Sequence, residues 1–350
     1  MVINMAIVKK EFGTTTEGKP ITLYSIENKN GIVANIMDFG AILVGLCVPD
    51  KKGNIKDIVL GYDKSESYFG NWNMFGAIIG PSANRVSNAK FTVDGIVYEI
   101  ADNNFGNNLH SDFGKGYHKK LWSVETKENS IVLFLTDEDG SMGFPGNRKI
   151  QVIYTLTDDN ELKIDYYVTS DKKTLINMTN HSYFNLEGHD SGTIENHEVQ
   201  INASYYTPIN EFFIPTGELA QVESTPFDFR TIKPVNKDID SDNTQIKYAG
   251  GYDHNWVIDD YDGTVKKVAI ARSPESGITM EVYTDQQGIQ FYTANGMGQH
   301  IGKAGAEYGV RRGLCFETQA FPDSVNKDNF PDVIYGPERP YKTTTIYKFI

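Results

Sequence analysis

The sequence predicts an all-β protein, a large antiparallel β-sandwich with few short helices, spanning residues 1–350 as a single domain. Three observations point there. Apolar residues alternate with polar ones, or form short runs of strand length. Turn-forming residues separate these segments at short intervals. Helical periodicity is scarce and amounts to a short turn near residues 65–68. Many short antiparallel strands bury their apolar faces best by packing sheet on sheet. A length of 350 residues would allow two domains, but all-β folds often run longer as one unit. No Ser/Gly- or Pro-rich linker divides the chain, and no internal repeat is present.

In chain order, residues 22–26 and 31–36 read as strands around the turn formers Asn28, Lys29, Asn30 and Gly31. Residues 39–46 follow, with Gly40 as a bend or bulge. Residues 48–53 carry Pro, Asp and Gly and read as a turn. Residues 57–63 read as a short strand and turn, and 91–98 as a hairpin with Asp94-Gly95 at its tip. Residues 131–135 are an apolar run. Leu162, Ile164, Tyr166 and Val168 alternate with Lys163, Asp165, Tyr167 and Thr169, the mark of a half-buried strand. Ile278, Met280 and Val282 alternate in the same way.

Composition narrows the partners. The net charge is −13, so nucleic acid and anionic membrane are poor partners. A neutral small molecule needs no charge steering. Twenty Tyr and nineteen Phe offer flat surfaces of the kind that stack on sugar rings, although β proteins are rich in aromatics anyway. The first ten residues put their charge after the apolar ones and show no clear cleavage site, unlike a signal peptide. No apolar run is long enough to span a membrane. Cys47 and Cys315 are the only cysteines, so no disulfide framework exists. A cytoplasmic protein, monomer or homodimer, is the simplest expectation. Metal-ligand spacings and a glycine-rich phosphate loop are absent, so neither metal nor cofactor is expected.

Polar clusters recur along this scaffold. The densest is the 177–188 stretch, where Asn180, His181, Ser182 and Tyr183 adjoin. Its Thr, Tyr and Phe favour strand, while its Asn residues and final Gly favour ends and turns. That mixture suits a strand running out into a loop, with polar groups aimed at a cleft. In Gly80-Pro81-Ser82-Ala83-Asn84-Arg85, small residues lead into an amide and a guanidinium with fixed donors. His110 stands in a loop among amides. Gly250-Gly251 opens onto Asp253, His254, Asn255 and Trp256, the composition of a ligand loop. Gln290 sits in a strand-like run. Finally, Glu317 interrupts an apolar strand, sharing a face with Cys315 and Gln319. A buried carboxylate is costly unless partnered or functional. Each cluster also has a plainer reading: an ordinary turn, a hydrogen-bonded histidine, a salt bridge from Glu317 to Arg311 or Arg312, a packed thiol at Cys315.

Taken together, Thr179-Asn180-His181-Ser182-Tyr183-Phe184-Asn185-Leu186, Gly251-Tyr252-Asp253-His254 and Glu317-Thr318-Gln319, in this order, resemble the aldose 1-epimerase (galactose mutarotase) family. Weaker matches run from Phe39-Gly40-Ala41 to Tyr341-Lys342-Thr343-Thr344-Thr345, so the resemblance covers nearly the whole chain. It implies the family's large β-sandwich and an isomerase that interconverts the α and β anomers of free hexoses such as D-galactose and D-glucose, with no metal or cofactor. It also implies roles. Glu317 matches the catalytic base, His181 the catalytic acid and His110 a second active-site histidine. Asn84 and Arg85 match the substrate-contacting pair, Asp253 the carboxylate gripping sugar hydroxyls and Gln290 a further sugar contact. Ser182 and Tyr183 flank His181 in the binding segment. Departures fall at Pro81, at Ser111-Asp112 and at His118, in loops beside the expected site.

Mutarotation opens the sugar ring, turns about the C1–C2 bond and closes from the other face. It needs a base for the C1 hydroxyl proton and an acid for the ring oxygen. Glu317 can be the base if ionised and His181 the acid if charged. Imidazole titrates near working pH, and a nearby carboxylate favours its charged form. Two other classes fit part of the pattern. A glycoside hydrolase would use Asp253 and Glu317 as a carboxylate pair. A hexose 6-phosphate enzyme would need a basic cluster, for which Lys115, Lys119 and Lys120 are the local candidates. A non-catalytic sugar-binding module is a further reading, whose sign would be loss of Glu317 or His181.

Overall fold

The computed structural model describes residues 7–350, so the opening segment weighed against a signal peptide lies partly outside the described residues. The protein is 44% strand and 8% helix, in agreement with the expected all-β class. A nine-stranded antiparallel sheet forms one wall. Its spatial order is Ser123–Lys127, Ser130–Asp137, Arg148–Leu156, Glu161–Ser170, Tyr341–Phe349, Thr279–Thr284, Lys266–Arg272, Glu198–Ile201 and Lys233–Pro234. The run at 131–135 and the alternating stretches at 162–169 and 278–282 contribute to this sheet, and Leu162, Ile164, Tyr166 and Val168 turn their faces into the core.

Two five-stranded sheets oppose it. The first holds Val8–Thr14, Pro20–Glu27, Val33–Met37, Ile42–Pro49 and Ile55–Asp57 in sequential order. The second has the order Ala220–Gln221, Tyr205–Thr207, Asp253–Val257, Gly288–Tyr292 and Cys315–Gln319. The core lies between these layers: Val152 and Tyr347 of the large sheet, Ala34 of the first small sheet and Trp256, Phe291 and Phe316 of the second belong to one apolar cluster. Hydroxyls pin the layers together. Tyr347 donates to the carbonyl of Phe316 at 2.9 Å, and Tyr154 to that of Ala41 at 2.8 Å.

Two local expectations differ. Residues 57–63 are not a strand: pairing ends at Asp57, and Val59 makes only an isolated bridge to Phe184. The Asp57 carboxylate instead accepts the backbone N–H of Leu46 and the Lys303 ammonium, turning the chain out of the sheet. A short helix, Thr244–Ala249, has no apolar periodicity to announce it. It is held by an Asn243 side-chain cap on Gln245 and ended by Gly250 in the left-handed region, φ 66°. The helix at Ser65–Phe69 and the Asp94-Gly95 hairpin lie where the sequence puts them.

Candidate active site

The site is assembled on one face of the second small sheet. Cross-strand register sets Asn255 opposite Gln290 and Gln290 opposite Glu317; two positions along, Asp253 faces Tyr292, which faces Cys315. Residues two apart on a strand share a face, so Asp253, Gln290, Tyr292, Cys315 and Glu317 all stand on the same side. The opposite side carries Trp256, Phe291 and Phe316 into the core. The 250–256 segment is therefore a strand from Asp253 onward rather than a ligand loop. Its two glycines make the turn before it, and Trp256 packs internally.

His181 ends the Thr179–His181 strand, which pairs with Ala77–Ile79. Asn180 fixes this strand end from below: its amide nitrogen donates to the Gly76 carbonyl at 2.9 Å and to Tyr154 at 3.2 Å. Its amide oxygen accepts both the backbone N–H and the hydroxyl of Ser182, at 3.1 and 2.5 Å. The His181 ring stacks on Tyr183, centroids 5.0 Å apart, and meets His110 edge-on at 5.2 Å. Its Nε2 lies 3.7 Å from Glu317 Oε1.

A second pair of segments closes the site. Arg85–Val86 pairs with Asn108–Leu109. Beyond that pairing, the His110 N–H donates to the Asn84 carbonyl at 3.0 Å, and the Asn84 N–H donates to His110 Nδ1 at 3.1 Å. Asn84 and His110 both adopt left-handed backbone, φ 55° and 54°, which Asn and His tolerate better than most residues. Arg85 donates through Nε to Asn104, lies over the Phe213 ring and stands 3.8 Å from Asp253. Gln290 donates to the other Asp253 oxygen at 2.6 Å.

These groups enclose a cavity of about 140 Å³, of the order that takes one six-membered ring. Asn84, Arg85, His110, His181, Tyr183, Asp253 and Glu317 line it, as expected. Ser182 and Gln290 do not: the Ser182 hydroxyl donates to Asn180 and the Gln290 amide nitrogen to Asp253, one layer back, while the Gln290 amide oxygen is buried without a partner among the described residues. Trp72, Asn73, Met74, Leu109, Phe113 and Tyr292 complete the wall and were not singled out by the sequence. Tyr292 was legible, standing two residues beyond Gln290 on the same strand. Trp72 and Phe113 arrive from separate loops and meet edge-on at 5.7 Å, a pairing that no local pattern encodes.

Burial dominates the electrostatics. It holds the Glu317 carboxyl well above the ordinary carboxylate range, with Asp253 adding to the rise and Arg85 opposing it. It lowers His181 to about 4 and His110 well below its ordinary value, the latter helped by His181 and Arg85. Asp253 is raised by burial and drawn back by Arg85 and Gln290. Loss of water thus opposes ionisation of Glu317 and protonation of His181 alike, against the pairing that their proximity favours. A protonated Glu317 with neutral His181 carries the same single proton as the ion pair.

His110, His181 and Glu317 each offer a ligand atom within 4.8 Å of the others, a composition that can hold a divalent cation. Hydrogen bonding opposes it. Since Asn84 donates to His110 Nδ1, the neutral ring carries its proton on Nε2 and has no lone pair there for a metal. The same proton makes His110 a donor to a ligand oxygen. The suggested salt bridge from Glu317 to Arg311 or Arg312 is not formed; Arg311 pairs with Glu195 and Asp240.

Comparison with known proteins places this architecture. The family model for aldose 1-epimerase matches residues 22–348. This chain belongs to the aldose 1-epimerase family. Among relatives, it is similar to galactose mutarotase of Bos taurus, 41% identical over 318 residues with 90% of each chain covered. It is also similar to aldose 1-epimerase of Escherichia coli K12, 36% identical over 337 residues with 95% of this chain and 96% of the other covered. Among solved structures, an aldose epimerase homologue from C. elegans superposes with a TM-score of 0.87 at 31% identity, covering 94% of this chain and 98% of the other. A galactose 1-epimerase from Lactobacillus acidophilus gives 0.86 at 26% identity, with 99% of each covered. The aldose 1-epimerase departures at Ser111, Asp112 and His118 lie outside the cavity wall. Ser111 locks onto the Ser82 backbone, Asp112 caps Gly114 and Lys115, and His118 is buried against Phe113. Pro81 receives the Asn177 N–H on its carbonyl.

Proposed function

We propose that this single-domain aldose 1-epimerase interconverts the anomers of free hexoses such as D-galactose and D-glucose, with Glu317 and His181 as its proton-transfer pair. The observation that carries the assignment is the 3.7 Å approach of Glu317 Oε1 to His181 Nε2 at the wall of a ring-sized cavity. Glu317 removes the C1 hydroxyl proton while His181 protonates the ring oxygen. The open chain turns about C1–C2, and the roles reverse on closure. The step needs Glu317 ionised and His181 charged, a form that carries the same single proton as the neutral pair and is reached from it by proton transfer from Glu317 to His181. Arg85, Asp253, Asn84 and the His110 ring Nε2–H hold hydroxyls at the other corners. Gln290 fixes Asp253, and Ser182 fixes Asn180 beneath the histidine.

The alternatives fit less well. Asp253 has one oxygen bound by Gln290 and the other facing Arg85, which suits a hydroxyl acceptor rather than the partner acid of a hydrolase. Lys115, Lys119 and Lys120 border a different cleft, and Lys119 is spent on the carbonyls of Tyr68 and Phe69, so no phosphate cluster faces the sugar cavity. No helix among the described residues is long and apolar enough to cross a membrane. Cys47 and Cys315 are both free thiols, in keeping with a reducing compartment such as the cytoplasm. A monomer or homodimer needs no further partner for this chemistry.

Polarimetry of freshly dissolved α-D-galactose and α-D-glucose is the direct test. The protein should speed the approach to equilibrium without changing the final rotation, in the presence of chelator and without added cofactor. An unchanged rate with both sugars, from folded protein, would sink the proposal.

A further inference from the structure

Beside the proton-transfer pair, the same face of the sheet carries polar groups that the mechanism does not use. Glu317 turns Oε1 to His181, and its Oε2 is buried without a hydrogen-bond partner among the described residues. The Gln290 amide oxygen and both amide atoms of Asn255 and of Gln319 are buried and unpartnered in the same way. Strand register gathers these groups. Asn255 is opposite Gln290, Gln290 is opposite Glu317, and Gly288 is opposite Gln319. Residues two apart on a strand share a face, so Gln290, Glu317, Gln319 and Gly288 mark the corners of a square on the active-site side. The glycine corner has no side chain, and Asn255 leans into it: a Cβ added at Gly288 would lie 2.3 Å from Asn255 Oδ1. Asn255, Gln290 and Gln319 do not line the sugar cavity.

We propose that Asn255, Gln290 and Gln319 form a buried water site beside Glu317, and that the water held there donates a hydrogen bond to Glu317 Oε2. The inference rests on the reading of Glu317 as the base. The chemistry of the unpartnered groups selects the ligand. Gln290 Oε1 and an ionised Glu317 Oε2 are both acceptors, so neither satisfies the other. Gln290 cannot offer its nitrogen instead, because that nitrogen is held on Asp253 at 2.6 Å. The amide nitrogens of Asn255 and Gln319 are donors. A water molecule has two hydrogens and two lone pairs, so it can donate to both acceptors and accept from both amides. An unpartnered buried polar group is costly, and a buried water typically joins about three of them. Donation to a carboxylate favours its charged form, which burial opposes at Glu317. The water acts on the oxygen that does not face His181. It returns part of the hydration that folding removes and favours the ion pair from which ring opening starts. Asn255 and Gln319 are therefore positioning residues for the base, acting through the water rather than on the sugar.

A high-resolution crystal structure of the sugar-free protein tests the site directly. It should show an ordered water within hydrogen-bonding distance of Glu317 Oε2 and of the Asn255 or Gln319 amide. Amides bonded directly to one another or to Oε2, with no water between, would overturn the proposal, even if every variant failed to fold. The effect on the base is read by ¹³C NMR titration of labelled glutamate carboxyls, again without sugar, with the Glu317 signal assigned from its loss in Glu317→Gln. Gln319→Met keeps the side-chain length and removes both amide atoms. It should raise the Glu317 carboxyl pKa by about one unit, the equivalent of one charge-assisted hydrogen bond, and lower kcat about tenfold with KM little changed. A folded Gln319→Met protein with wild-type Glu317 titration and wild-type kcat would also overturn the proposal. Neither the water nor the titration involves substrate, so both stand apart from the assignment of Glu317 as base. That assignment fails separately if Glu317→Gln stays active.

Discussion

Acid should destabilise this protein through its buried histidines, and His197 lets one contribution be isolated. Its side chain is fully buried. Nε2 accepts the backbone N–H of Leu186 at 2.9 Å, and Nδ1 has no partner. Burial holds its pKa at about 4, against an ordinary value of 6.5. The folded pKa is the depressed one, so the unfolded chain takes up the proton first as pH falls. The stability that the neutral ring contributes is complete above pH 6.5 and is lost progressively down to about 4. A shift of that size is worth about 3 kcal/mol in full, of which about 2 kcal/mol is lost by pH 5. His197→Gln puts an amide oxygen where Nε2 accepts from Leu186 and removes the titration. Urea unfolding of both proteins at pH 7, 6 and 5 should show wild type losing about 2 kcal/mol more than the variant between the extremes. Asp38, raised to about 6 by burial, works in the opposite sense, but it is common to both proteins and cancels. Parallel loss of stability in the two proteins would refute the reasoning.

Other outcomes follow from the site and its supports. Glu317→Gln and His181→Asn should each lower kcat about 10²–10⁴-fold in coupled polarimetry. The double variant should be little worse than the worse single one, since half of an acid–base pair is of little use; multiplied losses would argue for independent roles. Asp253→Ala should chiefly weaken sugar binding, by about 1.5–3 kcal/mol per charged hydrogen bond lost, and unchanged affinity in a galactose titration would remove it from the contacts. Gly76→Ala should cost at least about 3 kcal/mol in chemical unfolding. Its φ is +67°, and an added Cβ would lie 2.1 Å from the Leu43 carbonyl oxygen, so a wild-type midpoint would show that the turn relaxes freely.

The class of fold was legible because strand periodicity is a local property, as in Leu162 to Val168. The polar groups of the site were legible because Glu317 breaks an apolar strand and His181 sits among amides. What the sequence left open depends on contacts between distant segments. That Ser182 serves Asn180, and Gln290 serves Asp253, follows from which neighbour lies within reach after folding. The desolvation at Glu317 and His181 was hidden for a related reason. Proximity of a carboxylate can be guessed from motifs, but the desolvation that outweighs it comes from the surrounding layers. The Thr244–Ala249 helix is too short to show a period, and its caps decide it.

The cavity wall is gathered from segments around residues 72, 84, 110, 181, 253, 292 and 317, separated by long stretches of chain. No short fragment of the sequence contains His181 and Glu317 together with Asn84, Arg85, His110 and Asp253. The unfolded chain therefore has no affinity for sugar worth counting, and binding is linked to folding of the whole. A substrate sugar at 100 times its dissociation constant should add about 2.7 kcal/mol to the unfolding free energy. A thermal melt with galactose then reports affinity without any catalysis, and it does so even for Glu317→Gln. By the same linkage, saturating sugar lowers the unfolded fraction open to proteases.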